Sequence, residues 1–598
     1  MIQFVEMECP NCGGNLTKTG KNTAKCSHCG SEFLIDKDKP EPVSNEVVPK
    51  QQSGSVLAVL ILMLMIPAVI VLVITHSESE TQTESVNTVE IQPETYSEFF
   101  TYFAEAAYHM SPEQVTKEQL NQVTYLRINT SIESITVDYA MNNGTVNSIV
   151  MPREIGSYSQ DLERFTALQS LDLCSLSLTT GDLNAFPELT ELRTCNSPDE
   201  LAKIVPYPEK ITTLGSYSAS SLVGINVFTN LENLFLHCDD DLSVISSLSA
   251  LKHLKILTIE QGDSIMDFGV LQSLSNLEEL SIESETLRDA SFLESMTSLK
   301  KLSFTDSILL DIDAVSSLTS LTEVCLEDNY EITDYSALSN LTELETLSLE
   351  LNTHRSMPSV DNWDNLTSLS IDGADSIGFL SSLPELRALS ISGTSCSDYT
   401  VLSSLPNLES LKLYNIYGNI PNLDTLSNIT TLKSLDISSL EVYGNVESIF
   451  GLPSLETLKI SDCSFGLDFE TMPENSSLKV LYMDRMHLRE NIYVESSGMV
   501  MNVYYDKVNL DDKINFLNKF PNLEELYVQS NKLTGVEFTE DLPNLKKLDI
   551  TDNYVTDLRP LGKLQHLETV WCGENSISQG LDLGKNVNVI SDSKGKTR

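Results

Sequence analysis

Apolar residues recur along most of this chain with a step of about 22 residues. In the stretch Leu321 to Leu344, Leu321, Val324 and Leu326 take the spacing of a strand with one buried side, Asn329 follows, and Ile332 and Leu338 return toward the next strand. The same phrase recurs at Leu274 to Ile282, Met296 to Phe304, Leu405 to Leu413 and Phe520 to Val528. Taking the first apolar strand residue as an anchor, the register runs through Leu168, Leu189, Ile211, Leu231, Leu254, Leu277, Leu299, Leu321, Leu344, Leu366, Leu386, Leu408, Leu432, Leu455, Leu478, Val500, Leu523, Leu545 and Leu567. Val123 and Val146 extend it upstream, and Asn586 to Ile590 reads as a last partial strand. About 20 coils follow from that count. A coil this short cannot bury its own leucines, so neighbours stack and their strands align into one long parallel sheet on the concave side. Positions two, four and six after each anchor then face outward on that sheet, because strand side chains alternate.

The repeated phrase resembles the leucine-rich-repeat family, and Ile332-x-Asp334 after the Asn position resembles the internalin type of bacterial surface protein. The resemblance spans about Val123 to Ile590 and implies a curved repeat solenoid with short helical or irregular convex segments. The family's Asn position holds Asn329, Asn352, Asn531, Asn553 and Asn575, but elsewhere Ser307, Thr394, Cys463, Gly262 or Ala374. An Asn there bonds the turn backbone, so its loss predicts less regular coils in the middle of the array.

The first 95 residues follow other rules. Cys9, Cys12, Cys26 and Cys29 form C-P-N-C and C-S-H-C pairs, the spacing that holds one tetrahedral zinc, and Gly13 and Gly30 follow each second Cys. This segment, 1–35, resembles a zinc ribbon and predicts one structural zinc ion. Residues 36–53 are a Pro- and Lys-bearing linker. Within 54–75, Val56 to Ile74 carries no charge and matches the length of a membrane-spanning helix, with Pro67 near its middle. Six lysines precede that span (Lys18, Lys21, Lys25, Lys37, Lys39, Lys50) and none follows before Lys117, which predicts a cytoplasmic N-terminus and an extracellular C-terminal domain in the cell membrane. Residues 76–95 are an acidic spacer. Within 96–122, Phe99, Phe100, Phe103, Ala106 and Ala107 share one helical face and predict a helical cap over the first coil, ahead of a solenoid over 123–590 and a polar tail over 591–598.

Composition narrows the function. The 598 residues carry a formal net charge of -48, far from that of a nucleic-acid binder. The eight histidines show no metal-ligand spacing, and the array holds no Gly-x-Ser-x-Gly elbow, phosphate loop or His-Glu-x-x-His, so the chain does not read as an enzyme. Cys174 and Cys195 share a register position on neighbouring strands, where a disulfide or two free thiols would both fit. Four residues after their anchors, late coils carry Lys459, Tyr482, Tyr504, Tyr527, Asp549 and Trp571, with Asp484, Asp506 and Gln529 beside them. Early coils carry serines there instead, among them Ser281, Ser348, Ser370 and Ser390. Such rings can form a self-stabilising ladder or meet a ligand. The sequence therefore predicts a membrane-anchored extracellular protein that binds a protein or glycan for adhesion or recognition. Its alternative is a receptor coupling that binding to a cytoplasmic protein partner of the zinc ribbon.

Overall fold

The computed structural model describes residues 96–591 apart from short interruptions, the longest at 154–158, 352–356 and 417–422; before residue 96 it describes three strands. The chain divides into two compact units, Met1–Pro93 and Glu94–Arg598. In the first, Leu16–Lys18, Thr23–Cys26 and Glu32–Leu34 form a small antiparallel sheet, with Leu16 opposite Cys26 and Thr23 opposite Leu34. Cys9, Cys12, Cys29, the side chain of Cys26 and the apolar run Val56 to Ile74 lie outside the described residues. Among the described residues no helix is long and apolar enough to cross a membrane, and no group of three or more His, Cys, Asp or Glu could hold a metal ion.

The second unit is built from the repeat. Strands of three to eight residues stack in parallel, and the buried strand positions stay in register: Val324 lies opposite Leu347, Leu347 opposite Leu369, and Leu369 opposite Leu389. Leu321, Val324, Leu326, Ile332 and Leu338 are all fully buried, so one coil contributes five apolar side chains to a core that its neighbours complete. Seven residues after most anchors the backbone turns with positive φ, as at Asp306, Asp328, Asp462, Ser530 and Asp552. A residue there leaves the strand direction and lets the next one point inward.

That next residue is the Asn of the repeat, and its amide ties one coil to the one before. Asn553 donates through Nδ2 to the carbonyls of Val528 (3.0 Å) and Ile550 (2.8 Å), while its Oδ1 accepts from the backbone N–H of Asn531 (3.0 Å) and Leu533 (2.9 Å). Asn329 donates to the carbonyl of Phe304 (2.7 Å). At three positions without Asn a side chain still bonds the preceding coil: Cys463 Sγ donates to Ile437 O (2.9 Å), and Ser284 Oγ and Thr394 Oγ1 donate to the turn carbonyls of Gly262 (3.0 Å) and Ala374. Ser307 Oγ donates within its own coil, to Thr305 O at 3.0 Å, and Gly262 and Ala374 have no side-chain donor, so the tie between coils varies along the middle of the array.

The return path runs through short 3-10 turns such as Ser336–Asn340 and Ser291–Ser295. The Asp of Ile-x-Asp starts them: the carboxylates of Asp267, Asp289, Asp334, Asp398 and Asp557 accept from backbone N–H groups two residues on, at 2.7 to 2.9 Å. A second column lies just before the strands, where Glu232, Lys255, Glu278 and Lys300 alternate in sign, as do Arg387, Glu409, Lys433, Glu456 and Lys479. Several neighbours pair, Lys300 with Glu278 at 2.6 Å and Lys433 with Glu409 at 2.7 Å. Exposed pairs of this kind add little stability each, but a one-coil slip would set like charges together.

The array departs from the simple register at two places. At its N-terminal end Val123–Thr130, Ser134–Met141 and Val146–Pro152 run antiparallel, and only the first joins the parallel ladder, Leu126 opposite Leu171. Val146 is thus no coil anchor; it sits on an antiparallel outer strand and is 58% exposed. The helix Glu98–Tyr108 covers this end, burying Phe99, Phe100, Phe103 and Ala104, with Phe103 edge-on to Tyr139 and Phe165 at 5.2 Å each. Ala106 is exposed, because Ala104 completes the apolar stripe instead. The second departure is the segment after Tyr482. Val480–Tyr482 pairs directly with Glu525–Tyr527, and the intervening Arg489–Ser497 and Val500–Lys507 form an antiparallel hairpin in a separate four-stranded sheet with Glu441–Asn445 and Ser464–Gly466. Val500 is therefore not an anchor either. Cys174 and Cys195 are free thiols here, with Cys195 Sγ donating to the Cys174 carbonyl at 3.3 Å.

Candidate binding face

The ladder orders the outward residues of the concave sheet. Reading across its centre, Ser281, Ser303, Cys325, Ser348, Ser370 and Ser390 stand opposite one another in succession, followed by Lys412, Asp436, Lys459, Tyr482, Tyr527, Asp549 and Trp571. The change from small to large occurs between Ser390 and Lys412. Skipping the hairpin brings Tyr482 and Tyr527, 45 residues apart in the chain, onto adjacent strands.

Those two rings stack with centroids 4.1 Å apart and planes within 2°. Lys459 Nζ lies 4.9 Å from the Tyr482 centroid. One face of Tyr482 therefore meets a cation and the other meets Tyr527, which leaves the ring edge and hydroxyl facing outward. Tyr527 and Trp571 stand two strands apart, yet their centroids are only 6.3 Å from each other at 29°, so the rings lean together over the intervening Asp549. Asp549 is 2% exposed and accepts from the Thr551 N–H at 2.9 Å. The Tyr527 hydroxyl donates to Glu525 (2.8 Å), whose other oxygen pairs with Lys547 (2.9 Å). Burial first, then the Glu525 hydrogen bond, push the Tyr527 phenol well above its ordinary range, so it stays a neutral donor.

Of the residues marked from sequence, Tyr482, Tyr527 and Trp571 come together on this face. Tyr504 and Asp506 do not: they lie on the hairpin strand Val500–Lys507, where Tyr504 pairs with Tyr493. Asp484 is on neither surface, being 2% exposed; it accepts from the Gln529 N–H (2.8 Å), and its own N–H donates to Ser461 Oγ (3.0 Å). It closes a turn between coils. Lys412 and Asp436 belong to the row and were missed, although the same count of four from Leu408 and Leu432 reaches them. The opposite end of the sheet carries a second polar and aromatic group: Asp172 accepts from Tyr217 Oη at 3.2 Å and faces Arg127 at 3.6 Å, and Arg193 lies 5.9 Å from the Phe235 ring.

A family model for leucine-rich repeats in two copies matches residues 521–561 and 543–583. No curated protein sequence matches the chain. Among solved structures, an internalin of Listeria monocytogenes is similar at 24% identity, covering 59% of this chain and 84% of that one with a TM-score of 0.35. A leucine-rich-repeat protein of Leptospira interrogans is similar at 17% identity, over 70% of this chain and 86% of that one, with a TM-score of 0.36. The ectodomain of an Arabidopsis thaliana membrane receptor kinase, solved in complex with Casparian strip integrity factor 2, is similar at 18% identity over 71% and 56% of the two chains, with a TM-score of 0.41. The family model thus identifies residues 521–583 as leucine-rich repeats, and the coils before them carry the same strand, turn and 3-10 return.

Proposed function

We propose that this chain is a membrane-anchored binding protein whose repeat domain, held outside the cell, recognises a protein partner through the late concave coils. The observation that carries the reading is the row Lys459, Tyr482, Tyr527 and Trp571, where stacked, half-buried rings are fixed before any partner arrives. Rings held this way lose little entropy on binding and suit the centre of an interface. Both faces of Tyr482 are already in contact, so a sugar ring has no free face to stack on there; ring edges, hydroxyls and the flanking Lys412 and Asp436 suit the side chains of a protein.

The uncharged run Val56 to Ile74 and the lysines before it support the anchor and its orientation. Cys9, Cys12, Cys26 and Cys29 have the spacing to hold one structural zinc on the cytoplasmic side. Such a protein recognises without chemistry. The test is affinity: a partner recovered with the unit Glu94–Arg598 should bind Tyr482→Ala/Trp571→Ala about 2–4 kcal/mol more weakly, the scale of interface anchors. Ser348→Ala/Ser370→Ala should leave it unchanged. Unaltered affinity together with a lowered melting temperature would make the row a structural ladder and place recognition elsewhere.

A further inference from the structure

A second surface lies on the flank of the solenoid, where the turns leave the concave strands. Val223, Val244, Met266 and Leu310, from coils spaced one or two apart, are 72%, 66%, 80% and 57% exposed. Each directly follows, or is two residues after, a buried return residue: Leu222, Leu242, Ile265 and Leu309. The fold therefore gains nothing from their being apolar. The one coil between Met266 and Leu310 puts Arg288 at that position, and Leu310 N donates to the Arg288 carbonyl, so Leu310 continues the column beyond one cationic break. An apolar ridge repeated over neighbouring coils exceeds the scattered exposed residues of an ordinary surface.

The ridge runs beside carboxylates. Asp263, in the same short turn as Met266, is exposed, as are Glu285 and Asp306 in the next two coils. Glu260 and Glu283 end neighbouring strands, one residue past the pair Ile259 and Ile282. Glu283 is held above the ordinary carboxylate range, first by burial and then by Glu260, Asp306 and Asp263, with His237 opposing. His237 Nδ1 lies 3.2 Å from Glu260, and Arg288 brings a cationic side chain to this flank. Negative charge is thus concentrated where it repels itself, alongside apolar side chains that water surrounds.

We propose that this flank docks a basic, amphipathic segment of a partner protein, whose apolar side chains cover Val223, Val244, Met266 and Leu310 while its lysines or arginines meet Glu260, Asp263, Glu283 and Asp306. Charge selects this occupant over a second copy of the chain, which would bring another 48 net negative charges to the same surface. The site is separate from the aromatic row and stands or falls independently of it.

The test uses the full chain with two synthetic peptides of equal positive charge, one a Lys/Leu amphipathic helix and one with Ser in place of Leu, followed by fluorescence anisotropy. The Leu peptide should bind about tenfold more tightly, as removal of a few apolar side chains from water implies. Val223→Ser/Val244→Ser/Met266→Ser/Leu310→Ser should abolish that preference and leave binding of the Ser peptide intact. A photo-reactive Leu analogue in the peptide should label the segment containing Met266, a readout that also serves with single Met266→Ser should the fourfold variant fail to fold. Retention of the full preference by the variant, labelling of another segment, or a self-association that the variant removes would each overturn the proposal.

Discussion

A single amide shows how little redundancy the turns contain. Asn553 is 4% exposed and serves four backbone groups from two coils at 3.0 Å or less, so no water can replace it without opening the core. Asn553→Ala should cost about 2–3 kcal/mol, since it strands two buried donors and two buried acceptors at once. Asn553→Asp keeps the acceptor but sets a carboxylate oxygen against the carbonyls of Val528 and Ile550, so at neutral pH it should lose at least as much; both are read from the thermal midpoint of the C-terminal coils. Cys463 makes the same kind of bond with a weaker donor, and burial pushes its thiol up to about 12. The Asn column was legible in the sequence, but the ability of Ser284, Thr394 and Cys463 to replace it was not, because that depends on how close the preceding carbonyl comes.

The carboxylates of individual residues also set a pH profile. Asp289 and Asp334 are held below the ordinary range, chiefly by the backbone N–H groups of Ser291 and Ser336, and Asp398 and Asp557 chiefly by the side chains of Thr400 and Arg559. A folded pKa below the unfolded one gives stability that is present above the unfolded value and lost as pH falls through the folded value. Glu283 and Glu350 are shifted the other way, mainly by burial, so stability falls as pH rises from their unfolded toward their folded values. The melting temperature should therefore rise slightly on acidification from neutrality to about pH 5 and drop below about pH 4, near the ordinary carboxylate values. A monotonic decline from neutrality would contradict the assignment of Glu283 and Glu350.

Among the elements, the hairpin after Tyr482 is the one that sequence reading misplaced. Its strands alternate polar and apolar residues much as a coil strand does, and Val500 lies 22 residues after Leu478, so a one-dimensional register counts it as a coil. The pairing separates it: the ladder from Val480–Tyr482 passes directly to Glu525–Tyr527. Pairing between strands is a long-range fact that spacing alone does not contain. Replacing residues 488–508 with a short Gly-Ser linker should leave the melting temperature within a few degrees, because the flanking coils already stack on each other. A collapse of the fold, seen as lost β-sheet circular dichroism, would show instead that the hairpin is part of the stack. The N-terminal antiparallel strands were hidden for the same reason, while the helix Glu98–Tyr108 was visible from its aromatic face with one alanine misassigned.

At the scale of the whole molecule, repetition makes the concave sheet a long, ordered display, and the side chains it displays are uneven. Serines fill its middle, and Lys459, Tyr482, Tyr527 and Trp571 are gathered near its end. That contrast is a difference in chemistry at equivalent backbone positions, so it separates recognition from folding more cleanly than any single site would. The decisive measurement places a photo-crosslinking phenylalanine analogue at position 482, 571, 348 or 370 of the full chain in intact cells. The account predicts protein adducts from 482 and 571 and none from 348 and 370; adducts from the serine positions with none from the aromatic ones would contradict it.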